Sequence, residues 1–374
     1  MTEYLIASNS DREEIIDFIN YVFSYSHRPH DFKTLCPKSY ADDAIDMGAY
    51  HYIVKVDGRI KGCIANRVID VNYNGKILKY GLIGNVSVHP YSRGAGYMKG
   101  LMKMAIEHSR EIGVDMLVLG GQRQRYAYFG FEDAGANMQY EITDANIRHA
   151  FKDVDSDSIT FKPYEEASDD EIDYTMKLYE SRQCFAVRDK REIQNIMKSW
   201  TNKSYMIYKN GTLIGHMYGK LSEVVLKDEA DYAAVLKSVF VSENLKTHIL
   251  KVSPFMHERC NFLSDICENT SICTTEQISV LNWEKVIDTL LSFKSTYTQL
   301  LDGEAVISVD GECLRIKVCD NEVSVQKADS ADAAAFEHNK LINMFFDLKT
   351  IFYGNAMLKN WAPLPFIVDG PDTY

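Results

Sequence analysis

The pattern of apolar and polar residues in the first third of the chain predicts a sheet of successive strands joined by tight turns. Asp57-Gly58 and Asn74-Gly75 stand between apolar runs, and such dipeptides favour the two-residue turns of β-hairpins. The predicted strands are Tyr4–Ala7, Tyr50–Val56, Ile60–Val68 and a third strand of the meander that ends at Val88.

Helical spacing of apolar residues follows the first strand and again follows the meander. Ser10 and Glu13 form a capping-box pattern before the first helix. A second helix is predicted from about Gly96 to Ile112, and a short apolar strand follows at 115–119. The order β-α-βββ-α-β makes the second helix a crossover between two strands that should lie parallel.

The rest of the chain predicts two further blocks. The segment 209–215 (KNGTLIG) repeats the turn and trailing glycine of the first hairpin, which indicates either a duplication or a coincidence of common turns. From about Glu276, the pattern predicts a helix around Trp283, three short strands and a helix over 339–352. The tail beyond it is rich in proline and aromatic residues, so we expect it to be docked.

The composition narrows the class of protein. The 374 residues include 53 acidic and 41 basic side chains, a net charge of −12, which counts against nucleic-acid binding. No apolar window is long enough for a membrane helix, and the N-terminus lacks the pattern of a secretory signal. The eight cysteines form no CxxC pair, and His257 and Cys260 lack a second pair of metal ligands. We therefore expect a cytoplasmic protein without a metal.

The segment 85–98 (NVSVHPYSRGAGYM) has the pattern of a strand that enters a glycine-rich turn and then a helix. Such a turn points backbone N–H groups and the positive end of a helix dipole at one place, which makes an anion-binding site. The glycines do not match the dinucleotide-binding fingerprint, and no Gly-Lys-Ser/Thr follows as in a P-loop. A plain tight turn that caps a helix is the alternative interpretation.

This segment, an apolar strand after it and YAYFGF at 126–131 together resemble the GCN5-related N-acetyltransferase (GNAT) superfamily. The whole chain is similar to its enhanced intracellular survival (Eis) group, with landmarks LNWEKVID at 281–288 and WAPLPF at 361–366. The resemblance implies an α/β (α+β) fold with two tandem GNAT-like domains, each a mixed central sheet flanked by helices, and a sterol-carrier-protein-like α+β domain. The implied domains are an acetyltransferase domain at 1–150, a degenerate GNAT-like domain at 151–275 and the C-terminal domain at 276–374.

The resemblance further implies acetyl-coenzyme A (acetyl-CoA) as the cosubstrate, with its pyrophosphate in the glycine turn and its pantetheine arm along the preceding strand. Met98 occupies a position where the family has a small residue. Positions 121 and 122 correspond to a further coenzyme contact of the group, and a simple strand-to-helix turn is an equally good interpretation of them. The implied contact residues are Val86, Ser87, Val88, Arg93, Gly94, Ala95, Gly96, Tyr97, Met98, Gly121 and Gln122.

Acetyl transfer to an amine needs a general base, because an amine with a pKa near 10 is protonated at neutral pH, and it needs an acid for the leaving thiolate. The meander strand 80–88 contains no Glu or Asp that could serve as base. The resemblance to the Eis group implies that the base is the C-terminal carboxylate, here of Tyr374, and that Tyr126 is the acid. His89 is the alternative base. The N–H groups of Val86 and Val88 are candidates to polarise the reacting carbonyl.

We therefore expect an acetyltransferase for a primary amine of a cationic small molecule or a lysine-type substrate, such as an aminoglycoside or a polyamine. No nucleic-acid or membrane partner is expected. The resemblance implies a homo-oligomer such as a hexamer. Two alternatives stay open: a non-catalytic sensor that binds coenzyme A, and a carrier of an apolar ligand in the C-terminal domain.

Overall fold

The computed structural model describes residues 1–26, 28–45, 47–329, 333–348, 350 and 354–374, which form two compact units. The first unit contains Met1–Gly135, Thr274–Phe366 and Tyr374. The second contains Ala136–Cys273 and Ile367–Thr373. No helix in the described ranges is both long enough and apolar enough to cross a membrane.

Both units contain strands and helices. The strands are β1 (Thr2–Ile6), β2 (His51–Val56), β3 (Arg59–Tyr73), β4 (Lys76–Val88), β5 (Met116–Leu119), β6 (Glu132–Ala134), β7 (Asn137–Thr143), β8 (Ile159–Pro163), β9 (Cys184–Ala186), β10 (Ser204–Lys209), β11 (Thr212–Tyr218), β12 (Glu223–Leu226), β13 (Thr247–Val252), β14 (Asn269–Cys273), β15 (Glu276–Val280), β16 (Gly303–Val309), β17 (Glu312–Cys319), β18 (Glu322–Lys327) and β19 (Ala334–Ala335). The α-helices are α1 (Arg12–Ser26), α2 (Phe32–Leu35), α3 (Pro37–Tyr40), α4 (Tyr97–Glu111), α5 (Arg123–Tyr126), α6 (Asp144–Ala150), α7 (Asp169–Glu180), α8 (Ile193–Lys198), α9 (Tyr232–Ser242), α10 (His257–Ser264), α11 (Trp283–Ser295), α12 (His338–Phe346) and α13 (Ala356–Trp361).

The main sheet of the first unit has the strand order β1-β2-β3-β4-β5-β15-β6. β4 and β5 are parallel, as the predicted crossover requires, and the other neighbours along this order are antiparallel. Asp57-Gly58 and Asn74-Gly75 form the predicted hairpin turns, with positive φ at all four residues. The mixed α/β architecture predicted from the sequence is therefore confirmed.

Helix α4 covers this sheet with the stripe that the sequence predicts. Leu101, Met102 and Ala105 are buried in one cluster with sheet residues such as Ile64 and Leu117. The first helix of the chain, α1, is likewise buried along its predicted apolar face. The capping box differs, because Ser8 and Asp11 form it around the turn that precedes α1, instead of Ser10 and Glu13.

The C-terminal third of the chain contributes a strand to the same sheet. β15 lies between β5 and β6, and its residues from Gln277 to Val280 are buried. A second sheet, β18-β17-β16-β19, contains the three predicted short strands. Helix α11 packs against β18 of this sheet, and its predicted apolar stripe is buried. Helix α12 ends at Phe346, and positions 349 and 351–352 of the predicted helix lie outside the described residues.

The tail of the first unit is docked, as its composition predicts. Trp361, Leu364 and Phe366 are each about 1% exposed. The Lys294 ammonium donates to the carbonyls of Trp361 and Pro363 at 3.2 and 3.1 Å, and burial lowers the pKa of Lys294 to about 8. The sterol-carrier-like identity of this region stays a prediction.

The second unit contains the sheets β12-β11-β10-β8 and β13-β7-β14. The turn Asn210-Gly211 joins β10 to β11, as its resemblance to the first hairpin suggests. Residues 136–150, which the sequence assigned to the first domain, belong to this unit because β7 pairs with β13 and β14. The division into three domains otherwise stays a prediction.

A buried ion cluster fixes the segment Ile367–Thr373 within the second unit. The Arg188 guanidinium donates to both carboxylate oxygens of Glu223, at 3.0 and 2.7 Å, and to both of Asp372, at 3.0 and 2.8 Å. All three residues are at most 6% exposed. Burial alone raises the pKa of Glu223, but the Arg188 charge and hydrogen bonds from His216 and Arg188 outweigh it and hold this pKa below its usual range.

We predict that Arg188→Met lowers the free energy of unfolding by about 3–5 kcal/mol, because it removes the guanidinium that both buried carboxylates, Glu223 and Asp372, share. Arg191→Met is the matched control, since the Arg191 side chain is 75% exposed in its pair with Asp189 and should contribute less than about 1 kcal/mol. Urea denaturation of the two variants measures both values. Equal midpoints for the two variants would show that the cluster does not stabilise the fold.

Candidate active site of the first unit

The candidate site begins where β4 and β5 part. Their parallel pairing ends at Leu82↔Val118, and β5 itself ends at Leu119. β4 continues to Val88, and in the described part of the chain no strand pairs with this last stretch on the β5 side. The sheet therefore presents an open backbone edge at the end of β4.

The N–H groups at this edge are those of the predicted strand residues. The His89 N–H donates to the Lys61 carbonyl at 2.9 Å on the β3 side. Because backbone groups alternate along a regular strand, the N–H group of Val88 points to the open edge, and the N–H group of Val86 lies within the bulge described next. The hydroxyl of Ser87 donates to the Cys63 carbonyl at 3.3 Å, on the β3 side.

A β-bulge deforms β4 at the start of the open edge. Cys63 pairs with Ser87 and Ala65 pairs with Gly84, so one residue of β3 lies opposite two residues of β4. Asn85, one of those two, has a φ of +48°. Bulges re-aim side chains and occur next to active sites, and here the Asn85 side chain reaches the Tyr40 hydroxyl.

The ring of Tyr374 lies directly on Gly84. A Cβ at position 84 would lie 1.7 Å from Cδ1 of Tyr374, so the close approach requires glycine there. The Tyr374 hydroxyl forms a hydrogen bond with the Tyr40 hydroxyl. The same Tyr40 oxygen is bonded by Nδ2 of Asn85 and lies 3.0 Å from Nε2 of His51.

The side chains of this cluster are uncharged. Burial lowers the pKa of His51 to about 4, and its Nδ1 lies 2.6 Å from the Met47 carbonyl. Burial also raises the pKa of Tyr40 and of Tyr374 well above the usual value of a phenol. At neutral pH the imidazole is therefore neutral and both phenols keep their protons.

The glycine turn follows the open edge. Gly94 and Gly96 have φ values of +86° and +80°, and a Cβ at either position would meet no atom of the described residues within 4 Å. Ala95 stands between them, and Tyr97 and Met98 open α4, whose first turn has no side-chain cap from Gly96. Within the described part of the chain, the space beside Gly96 at the positive end of the α4 dipole is therefore open.

Arg93 supplies a cation at the turn. Its guanidinium donates to the Ser26 hydroxyl at 3.0 Å, at the end of α1. A guanidinium has five N–H donors, and this one contact with the described residues uses only one of them.

Tyr126 lies beyond the end of β5. Its ring packs on Gly121, where a Cβ would lie 2.4 Å from Cε2 of Tyr126. Burial raises the pKa of Tyr126, although the nearby Arg125 opposes that change. Gln122 precedes α5, and the Gly121 carbonyl accepts a hydrogen bond from Nε2 of Gln277 at 3.1 Å.

The C-terminal third of the chain also supports the turn that carries Tyr126. Nδ2 of Asn339, on α12, donates to the Ala127 carbonyl and to Glu132, both at 3.0 Å. Arg123 donates to the other oxygen of Glu132 at 2.7 Å. The position of Tyr126 thus depends on residues that lie far apart in sequence.

The residues predicted to bind the cosubstrate or to act in catalysis therefore lie at three places: the open edge of β4, the glycine turn, and the region where the pairing of β4 with β5 ends. Tyr126 and Tyr374 both pack on glycines just past the last β4–β5 pair. Sequence reasoning missed Tyr40, His51 and Asn85, which contact one another only through the fold. Gly84, one of two glycines within β4, was the available signal, because a glycine inside a strand indicates a bulge or a close approach.

The other predicted candidates have different surroundings. Nδ1 of His89 accepts a hydrogen bond from the Tyr91 N–H at 3.4 Å, and burial together with Lys61 lowers the pKa of His89. Within the described ranges, the one group of acidic, His or Cys side chains close enough to hold an ion is Glu223, Asp369 and Asp372. It does not include His257 or Cys260.

The first unit also contains a hydrogen-bonded row of a serine, a histidine and an aspartate, and this row is structural. Oγ of Ser279 lies 3.2 Å from Nε2 of His338, and Nδ1 of His338 lies 2.6 Å from Asp310. Ser279 is only 3% exposed, and a Cβ at Gly130 would lie 3.3 Å from its Oγ. A substrate cannot reach this hydroxyl, so the row serves to pack α12 against the sheet.

Comparison with known proteins identifies the domain that holds this site. Residues 3–134 match the family described as acetyltransferase (GNAT) domain, which includes the turn and Tyr126. No curated protein matches the chain significantly. The predictions of a GNAT domain and of an N-acetyltransferase are therefore confirmed.

Solved structures share the fold over the full length of this chain. A GCN5-related N-acetyltransferase from Kribbella flavida has 13% identity and a TM-score of 0.68, and the match covers 100% of this chain and 98% of that one. Eis1 from Mycobacterium abscessus has 12% identity and a TM-score of 0.66, with 100% of both chains covered. A probable N-acyltransferase from Enterococcus faecalis V583 has 12% identity and a TM-score of 0.67, with coverage of 100% and 97%.

We predict that the buried His51 makes the protein less stable as the pH falls. The folded pKa of about 4 lies below the ordinary 6.5, so the unfolded chain binds the proton first between these values. Between pH 7 and pH 4.5 the wild type should lose about 2 kcal/mol more of its free energy of unfolding than His51→Gln, which does not titrate.

Urea denaturation at the two pH values tests this expectation. His89→Gln is the matched control, because His89 lies at a half-exposed turn and should change the difference much less. Parallel pH curves for wild type and His51→Gln would contradict the neutral, buried state of this imidazole.

Proposed function

We propose that this chain is an acetyl-CoA-dependent enzyme that acetylates a primary amine of a cationic small molecule or a lysine-type substrate, with polyamines and aminoglycosides as candidate classes. The observation that carries the proposal is the open edge of β4, which continues into the glycine turn and the uncapped start of α4. The net charge of −12 supports a cationic substrate, because it raises the local concentration of cations.

The residues present fit the cosubstrate. The amides of a pantetheine arm pair with an open strand edge as a peptide does, and Val86 and Val88 offer N–H groups there. A pyrophosphate suits the start of α4, where the open space at Gly94 and Gly96 permits close approach and Arg93 adds a cation. Ala95, Tyr97 and Met98 would line the same turn, Ser87 would contribute backbone only, and Gly121 and Gln122 would border the arm from the β5 side.

Acetyl-CoA, when bound, supplies an acetyl group activated as a thioester. The N–H groups of Val86 and Val88 would hold its carbonyl oxygen, where negative charge develops. The Tyr374 carboxylate would accept a proton from the amine, and Tyr126 would donate a proton to the departing sulfur. Burial raises the pKa of Tyr126 and so keeps its proton available at neutral pH.

We predict that the chain releases free thiol from acetyl-CoA in the presence of at least one amine from a panel of polyamines, aminoglycosides and lysine peptides. Tyr126→Phe should lower kcat by about 10²–10⁴-fold, because it removes the proton donor and keeps the ring. Tyr128→Phe is the matched control, since Tyr128 is 67% exposed in the same motif, and its kcat should stay close to wild type.

The base is tested in the same assay by adding one glycine after Tyr374, which moves the carboxylate by about 3.8 Å. Turnover should fall while binding of acetyl-CoA is retained. Binding of acetyl-CoA without turnover on any amine would favour the sensor instead. Unchanged kcat in Tyr126→Phe or in the extended chain would remove that residue from the mechanism.

A further inference from the structure

Tyr40 stands at the centre of a hydrogen-bonded group that the acetyltransferase chemistry does not itself explain. Its hydroxyl contacts the hydroxyl of Tyr374, Nδ2 of Asn85 and Nε2 of His51. Tyr40 and His51 are fully buried, and Asn85 is 8% exposed. A phenol has one donor and two acceptor sites, so these three partners satisfy Tyr40 completely.

The direction of each hydrogen bond follows from the chemistry of the partners. Nδ1 of His51 faces the Met47 carbonyl, which only accepts, so this nitrogen holds the single proton of the neutral ring. Nε2 must then accept, and Tyr40 donates to it. The Tyr40 oxygen in turn accepts from the Asn85 amide and from the Tyr374 hydroxyl.

The group fixes Tyr374 at two points. Its ring lies on the bare backbone of Gly84, and its hydroxyl bonds to Tyr40 at the far end of the ring. The bulge that gives Asn85 its positive φ also brings the Asn85 amide to Tyr40. With ring and hydroxyl held, the main chain of Tyr374 has little freedom to swing about its side chain.

The same group is unsuited to carry protons. It ends at the Met47 carbonyl, which cannot accept a transferred proton. Burial lowers the pKa of His51 to about 4, about six pKa units below that of an amine with a pKa near 10. Proton transfer from such an amine to His51 is therefore strongly unfavourable. The geometry therefore favours positioning over proton relay.

We propose that Tyr40, supported by His51 and Asn85, is the positioning residue that holds Tyr374 in place for acetyl transfer. This inference rests on the proposed function, because Tyr374 matters for turnover only if its carboxylate acts as the base. It adds that the phenol of Tyr374, and not only its main chain, contributes to the rate.

The test uses Tyr40→Phe, Tyr374→Phe and the double variant in the full chain. Each single variant removes one hydroxyl of the Tyr40–Tyr374 bond and should lower kcat about tenfold, as expected for one hydrogen bond, while KM for acetyl-CoA stays unchanged. The double variant should be no slower than the slower single variant, because both changes remove the same interaction. Tyr374→Phe leaves Tyr40 with two buried partners, so it tests the bond even if Tyr40→Phe folds poorly.

Tyr73→Phe is the matched control. The Tyr73 hydroxyl forms a buried phenol–phenol hydrogen bond to Tyr80 at 2.6 Å, so the variant makes the same chemical change away from Tyr374. Its kcat should stay within about twofold of wild type. A control that slows turnover as much as Tyr40→Phe would mean that general loosening of the fold, and not the position of Tyr374, controls the rate.

A second readout needs no turnover. Carboxypeptidase A should release tyrosine from a chain that ends at Tyr374, verified by intact mass, several-fold faster in Tyr40→Phe than in wild type or Tyr73→Phe. If the wild type is active and Tyr40→Phe has the same kcat and the same rate of tyrosine release, the role of Tyr40 is contradicted and the proposed function is not. A wild type that releases tyrosine slowly but acetylates no amine would overturn the proposed function, and with it the contribution of Tyr40 to the rate.

Discussion

The parting of β4 from β5 is the constraint on which the site depends. Two parallel strands share three residue pairs, and then β4 continues alone along one edge. Backbone N–H and C=O groups are rarely left without partners, so an open edge next to a helix N-terminus is a place built for a ligand. The bulge at Asn85 and the absence of a side chain at Gly84 adapt that edge to receive Tyr374.

The residues around this edge come from remote parts of the sequence. Tyr40 precedes the meander, Tyr126 follows β5, and Tyr374 is more than 240 residues further along the chain. β15 and Asn339 help to hold the turn of Tyr126, although both belong to the C-terminal third. The first unit is therefore one structure made from both ends of the sequence, which explains why a match limited to residues 3–134 covers only part of it.

Local signals were enough to predict the scaffold. The Asp57-Gly58 and Asn74-Gly75 turns, the stripe of α4 and the glycines of the turn each depend on residues that are neighbours in sequence. The place of β15 and the group around Tyr40 depend on contacts between distant residues, and alternation or turn chemistry carries no information about such partners. The placement of residues 136–143 in the second compact unit likewise depends on distant residues, since β7 pairs with β13 and β14.

Isothermal titration calorimetry with acetyl-CoA measures whether the glycine turn beyond the open edge binds this cosubstrate. Gly96→Ala places a methyl group in the open space before α4, and Gly113→Ala makes the same change at a glycine with a φ of +71° just beyond the end of that helix. We expect the wild type and Gly113→Ala to bind with similar Kd, and Gly96→Ala to bind at least about tenfold more weakly. Equal Kd values for the two variants, or no binding by the wild type, would contradict this expectation.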